Sequence, residues 1–188
     1  MNKGQCLLWE IATGLVGKYS ILVFTGADLE FAKYFRTTGT VLQWPNTPQV
    51  EPFIERRRKR QKVRADIEYI TWGAIVLNNR AYQVLHELLE PFGQFLPVAC
   101  LGETLYFYNV TTLYSVVDFE KSEKTDKYVR RPAFSAEAIP AGFCIFKDAL
   151  TANIAIYIND ETKLALEKVL AEHKLTGLFF GEAGKLLT

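Results

Sequence analysis

Histidine is nearly missing from this chain: two in 188 residues, His86 and His173. Its scarcity removes most general-base and metal-centre chemistry, because histidine titrates near neutrality and is the commonest metal ligand. Cysteine is sparse too. Cys6, Cys100 and Cys144 are odd in number and far apart, which excludes a disulfide framework and a local zinc motif. They read as reduced, buried thiols, in keeping with a cytoplasmic location. There is no His-Glu-x-x-His, no Walker loop, no Gly-x-Gly-x-x-Gly and no Gly-x-Ser-x-Gly elbow. No apolar run approaches the ~18 residues of a membrane span, and the opening MNKGQCLLWEIATG lacks a signal-length apolar stretch. Neither sign of charge is in excess: 22 basic and 21 acidic residues leave a net charge of +1, so only local patches can steer a charged partner. The sequence therefore predicts no metal, no cofactor, no catalytic set and no membrane contact, and a binding protein in place of an enzyme.

What is present is apolar and aromatic. Hydrophobic residues make up 49% and Phe, Trp and Tyr 13%. A chain of this length buries about two-thirds of its unfolded surface, so it needs no staple. The richest stretch runs from Ile67 to Val110. Ile67 and Tyr69 alternate with polar neighbours, and Ala74 to Leu77 is an extended run. Asn78 can cap a helix whose Ala81, Val84, Leu85, Leu88 and Leu89 form one stripe. Pro91 and Gly93 stop that helix. FLPV then predicts a strand, with Pro97 at an edge or irregular position. A hairpin turn follows at Gly102-Glu103. Leu105 to Val110 is apolar on both faces of the pleat.

Further strands are predicted over Tyr114–Phe119, Tyr128–Arg131, Phe143–Phe146 and Asn153–Ile158. Asn159 and Asp160 then open a helix with Leu164, Leu166 or Glu167, Val169 and Leu170 partly covering one face, and LFFG ends the pattern as a strand. IVLNNRAYQVLHELL and IYINDETKLALEKVL share an order of extended segment, Asn and helix. Duplication and common cap chemistry both account for that echo. The fold class is α+β, with a mixed or mostly antiparallel sheet and two or three packed helices.

The first 54 residues form a β-rich N-terminal region, distinct from an α+β core over 55–188 but packed with it as one unit. Leu7–Ile11 and Tyr19–Phe24 are short β runs, and Asp28 to Phe35 can hold one helix. Thr40 to Trp44 is extended. Pro45, Pro48 and Pro52 make 45–54 a linker or loop across the core.

The sharpest charge feature is Glu55 to Arg64, in which seven of ten residues are basic: Arg56, Arg57, Arg58, Lys59, Arg60, Lys62 and Arg64. A solvated face, a contact for an acidic protein and a nucleic-acid contact all fit it. No aromatic platform interleaves with the run, and no nucleic-acid signature surrounds it. Trp44 and Trp72 are candidate exposed anchors for a partner, or core residues. Asp118 and Glu120 would share one side of a strand, either as an acid/base pair or as a solvated strand end. Cys100 and Cys144 suit structural thiols better than nucleophiles, His86 suits a boundary position, and His173 suits a helix C-terminus.

The central and C-terminal segments ADIEYITWGAIVLNNRAYQVL, FLPV, LYFYNV, VVDFEKS, IFKD, IYINDETKLALE and KLTGLFFGE resemble, in that order, the Imm11 (DUF1629) family of bacterial polymorphic-toxin immunity proteins. The resemblance covers Asp66 to Glu182 and leaves the first sixty residues unmatched. Where family members often carry Ser before the helices, this chain has Asn78 and Asn159, and both residue types cap. The matched segments are patterns of fold, not of catalysis. The resemblance implies stoichiometric binding and neutralisation of a cognate toxin domain, encoded nearby, in the cytoplasm. The candidate contact surface, nominated from charge and aromatic content, is the basic run with Trp44 and Trp72. The alternative is a nucleic-acid-binding accessory protein using the basic run.

Overall fold

A computed structural model describes residues 8–13, 17–26, 35–54, 62–125 and 128–187. Among them run fifteen strands and two α-helices. The first half comprises β1 (Leu8–Thr13), β2 (Leu22–Phe24), β3 (Gln49–Pro52), β4 (Ile67–Glu68), β5 (Ile75–Leu77), α1 (Asn79–Leu89), β6 (Gly93–Cys100) and β7 (Glu103–Val110). The second half comprises β8 (Leu113–Tyr114), β9 (Glu123–Lys124), β10 (Val129–Arg131), β11 (Ala133–Ser135), β12 (Ile145–Asp148), β13 (Tyr157–Asn159), α2 (Asp160–Glu172), β14 (Leu178–Glu182) and β15 (Lys185–Leu187). The fold is α+β. A six-stranded sheet has the order β2-β3-β6-β7-β5-β4, and a five-stranded sheet the order β14-β1-β13-β12-β8. Most pairings are antiparallel, while β3–β6, β8–β12 and β11–β15 are parallel.

Local chemistry accounts for the central block. The Asn78 side chain accepts a hydrogen bond from the Ala81 amide at 2.8 Å and starts α1. Ala81, Leu85 and Leu89 are buried at spacings of four, with Val84 and Leu88 half-buried beside them. Pro91 sits in a single 3-10 turn that ends at Gly93, and the Tyr108 hydroxyl donates to the Leu89 carbonyl at 2.7 Å. β6 and β7 pair over eight residues each, closed by Leu101-Gly102 with both φ angles positive, 51° and 85°. That is a two-residue turn of the type whose twist matches a hairpin. Pro97 lies on the part of β6 that β3 does not reach, since β3 pairs only at Ala99 and Cys100. Its missing donor therefore costs no ladder bond.

The two helical segments belong to matching units. In the first, the chain order β4-β5-α1-β6-β7 gives the spatial order β4-β5-β7-β6. In the second, β12-β13-α2-β14 with β1 gives β12-β13-β1-β14. Pairing directions correspond throughout: each consecutive spatial pair is antiparallel. The second unit is thus a circular permutation of the first, with β1 standing where β7 stands. The two cap asparagines correspond as well. Asn159 accepts from the Thr162 amide at 3.0 Å and donates to the carbonyls of Pro140 and Gly142, just before β12. Asn78 donates to Asp66, just before β4.

Three apolar clusters result. The shared core draws Leu77, Leu85, Leu89 and Tyr108 from the first unit and Ile11, Ile145, Ile158 and Leu166 from the second. The reverse face of the six-stranded sheet buries Val76, Val98, Leu105 and Phe107 under Leu22, Phe35 and Val50. The reverse face of the five-stranded sheet buries Leu8, Phe146 and Tyr157 against Val116 and Phe134. Strand β7 is covered on both sides, as its sequence predicts.

Several expectations change. Residues 45–54 are no simple linker, because β3 lies within them and joins β2 to β6. A boundary at 54/55 separates no sheet, since β1 is an inner strand of the second unit's sheet. Thr40 to Leu42 forms no ladder and is clamped by amides: Gln94 bonds both the N–H and C=O of Leu42, and Asn109 donates to the Thr40 carbonyl. The strand expected from Asn153 begins only at Tyr157, after a turn over 149–154. Leu164 is 65% exposed, and the inner positions of α2 are Thr162 and Leu166, backed by Val169 and Leu170. The helix expected within Asp28–Phe35 and the residue Cys6 lie outside the described residues, apart from Phe35 itself.

Candidate functional site

Arg56, Arg57, Arg58, Lys59 and Arg60 lie outside the described residues. The run's ends are visible. Val63 bridges Tyr19, and Lys62 is half-buried. Arg64 is committed to the fold: its Nε and Nη2 both meet Glu68 Oε2, at 3.1 and 2.9 Å, and its Nη1 meets Glu103 at 3.1 Å. Glu68 is buried and also accepts from the Ser20 hydroxyl. Hydrogen bonding to Glu68 raises the Arg64 pKa still further, so the guanidinium stays charged. Losing Arg64 would leave a buried carboxylate uncompensated, which gives it a structural role in place of the expected partner contact.

Trp44 is also internal in its chemistry. Its ring stacks on Phe35 at 4.6 Å, meets Phe107 edge-on at 5.5 Å, and its Nε1 donates to the Pro97 carbonyl. It roofs the cluster on the reverse face of the six-stranded sheet. Trp72 differs: it is 58% exposed, on the turn between β4 and β5. That turn is held in place. The Trp72 carbonyl accepts from Thr37 Oγ1 at 2.9 Å, and the indole meets Tyr69 edge-on at 5.9 Å. Next to it Gly73 has φ +67°, and a Cβ there would come within 2.9 Å of Thr37 Oγ1 and 3.1 Å of the Ala152 carbonyl. The turn, segment 35–38 and loop 149–154 therefore converge in close contact.

Trp72 stands between two depressions at this junction. One is a crevice of about 30 Å³ lined by Glu10, Thr13, Tyr69, Thr71, Trp72 and Ile154, among others. Burial raises the pKa of the Glu10 carboxyl. The other is an open cleft of about 550 Å³ between Arg36–Thr38, Trp72 and Ala149–Asn153. Behind it lies Lys147, wholly buried, whose Nζ donates to the Thr37 carbonyl. Burial brings its ammonium pKa down from 10.5 to about 7.

The other candidates fall elsewhere. Asp118 and Glu120 lie at a turn and not along a strand, and each pairs with a lysine of its own segment, Lys121 and Lys124. Cys100 and Cys144 are buried thiols, and burial pushes the Cys100 pKa up. His86 is half-buried, with its ring stacked on Tyr82 and its Nδ1 enclosed without a partner. His173 caps the C-terminus of α2. Among the described residues, no group of three or more His, Cys, Asp or Glu side chains is placed to hold a metal ion, and no helix is long and apolar enough to cross a membrane.

Sequence patterns missed Arg36 and Lys147. Arg36 carries no local signal, because the cleft is assembled from three distant segments. Lys147 does carry one: two residues after Ile145 in a strand, it shares that residue's inward face. No family model matches the chain, and no curated protein matches it.

Proposed function

We propose that this chain is an immunity protein, one that binds a cognate bacterial toxin domain in the cytoplasm and neutralises it by stoichiometric occlusion. The observation that carries this reading is Trp72. It is a large aromatic, more than half exposed, on a turn fixed by a hydrogen bond and a glycine contact. A rigid exposed indole is the kind of side chain that dominates protein interfaces. The ordered segments that resemble immunity proteins add to it, and Trp72 lies within the first of them.

Co-expression with the toxin domain encoded next to the chain tests the proposal. A one-to-one complex that survives gel filtration, together with rescue of the intoxicated cell, is the expected result. Trp72→Ala should weaken that complex by tenfold or more, about 1.4 kcal/mol or above. Absence of both complex and rescue with every neighbouring toxin domain would sink the proposal. Preferential binding to nucleic acid, weakening steeply with salt, would replace it with a role for Arg56 to Lys62.

A further inference from the structure

The cleft beside Trp72 has a definite chemistry. Its lining is Phe35, Arg36, Thr37, Thr38, Thr71, Trp72, Ala149, Ala152 and Asn153. No carboxylate is among them. Arg36 is exposed, and its guanidinium forms no ion pair among the described residues. The Thr38 hydroxyl is exposed and shared with Thr40 at 3.2 Å. The Asn153 side chain is exposed at the opposite wall. One wall is apolar: the indole of Trp72, more than half exposed. The buried Lys147 behind Thr37 adds positive charge whenever it is protonated.

We propose that this cleft receives an acidic side chain of a partner protein, gripped by Arg36, with the partner's adjacent apolar residue laid on Trp72. This rests on the reading of the chain as a toxin-binding protein and names where the toxin docks. Charge complementarity selects the occupant. A guanidinium offers a planar fork of donors that suits a carboxylate, and hydroxyl and amide groups nearby can complete its shell. Nucleic acid fits poorly, because a strand needs a track of cations at phosphate spacing and the lining supplies one exposed cation. The apolar wall also distinguishes this from a simple anion site, since an ion alone would not use Trp72.

The test uses the full chain, labelled with ¹⁵N, and three probes: N-acetyl-Glu-Leu-amide, N-acetyl-Gln-Leu-amide and a ten-nucleotide single-stranded RNA. The glutamyl peptide should shift the Trp72 indole N–H and the amides of Thr38 and Asn153. It should bind at least about tenfold more tightly than the glutaminyl peptide, as charge-assisted hydrogen bonds require. Arg36→Ala should remove that discrimination, and Trp72→Ala should weaken the glutamyl peptide while keeping it. Both side chains are exposed, and a thermal transition like the parent's checks that each variant is folded. Equal binding of the two peptides, shifts confined to other surfaces, or tighter binding of the RNA at this cleft would each overturn the proposal. No toxin enters this experiment. Failure here leaves the immunity reading standing, and failure of co-purification with a positive peptide result removes the immunity reading alone.

Discussion

Leu101 occupies a backbone conformation that a leucine resists. Its φ of 51° lies in the left-handed region, and its side chain is 72% exposed, so no packing repays the cost. Asn-Gly is the preferred pair for such a turn. Leu101→Asn should therefore stabilise the protein by about 0.5–1 kcal/mol, measured by urea unfolding. Lys147 shows a second residue-level cost, with a pH signature. Its pKa falls from 10.5 to about 7 on folding. Between those values the unfolded chain holds the proton and the folded chain does not, so stability rises with pH there. The penalty is full below about pH 7, roughly 4–5 kcal/mol, and fades towards pH 10.5. Lys147→Met removes it but leaves the Thr37 carbonyl unpaired, at about 1–3 kcal/mol. The variant should be more stable than the parent at pH 6, by about 1–4 kcal/mol, and less stable near pH 10. A pH-independent difference in unfolding free energy would contradict this account. The inward lysine was findable only by extending the strand expected over Phe143–Phe146 one residue further. The strain at Leu101 was not, because Gly102-Glu103 marks a turn without fixing its register.

At the scale of elements, the caps are the most legible feature and also the most consequential. Asn78 and Asn159 each start a helix with Oδ1 and tether a preceding strand with Nδ2. Serine keeps the first role and loses the second. Asp66 retains Arg80 and Thr176 if Asn78 becomes serine, whereas Asn159 is buried and holds two carbonyls. Asn78→Ser should thus cost about 1 kcal/mol and Asn159→Ser about 2–4 kcal/mol in chemical denaturation. Asp66 joins three elements: the start of β4, the N-terminus of α1 and the α2–β14 turn. Burial alone would raise its pKa, but hydrogen bonds from Asn78 and from the Thr176 hydroxyl and amide, with the Arg80 charge, outweigh burial and hold it below the ordinary value. Its contribution is complete above the unfolded carboxylate pKa and is lost as pH falls through the depressed one. Asp66→Asn should cost about 1–3 kcal/mol at pH 7 and flatten the acid limb of the stability profile. Periodicity located α1 and its stripe, but put Leu164 on the inner face of α2. Leucine at helical spacing does not say which of two adjacent stripes meets the sheet, and here the hydrogen-bonded Thr162 takes the inner position.

For the whole molecule, the two permuted units carry strand pairing across residue 54, where local reading placed the edge of an N-terminal region. Nothing in LWEIAT announces that its partners are 157–159 and 178–182, because strand pairing over such distances leaves no local trace. The Trp72 cleft was invisible for the same reason, although Trp72 itself was named. If the units are as interlocked as their strands indicate, a fragment of residues 55–188 lacks an inner strand of the second sheet. It should show no cooperative thermal transition, while the full chain does; a cooperative transition in the fragment would restore the boundary at 54/55. The placement of β1 also sets an order in time. During synthesis the block from β4 to β7 can close on itself early, as its contacts are local. β1 emerges before all of it, yet must wait for roughly 170 further residues, about 10–30 s at a ribosome's pace of roughly 5–20 residues per second. Among the described strands it is made earliest and covered late, and for that interval Leu8, Trp9 and Ile11 are an unpaired apolar edge on which a chaperone or a misfolded dimer can take hold.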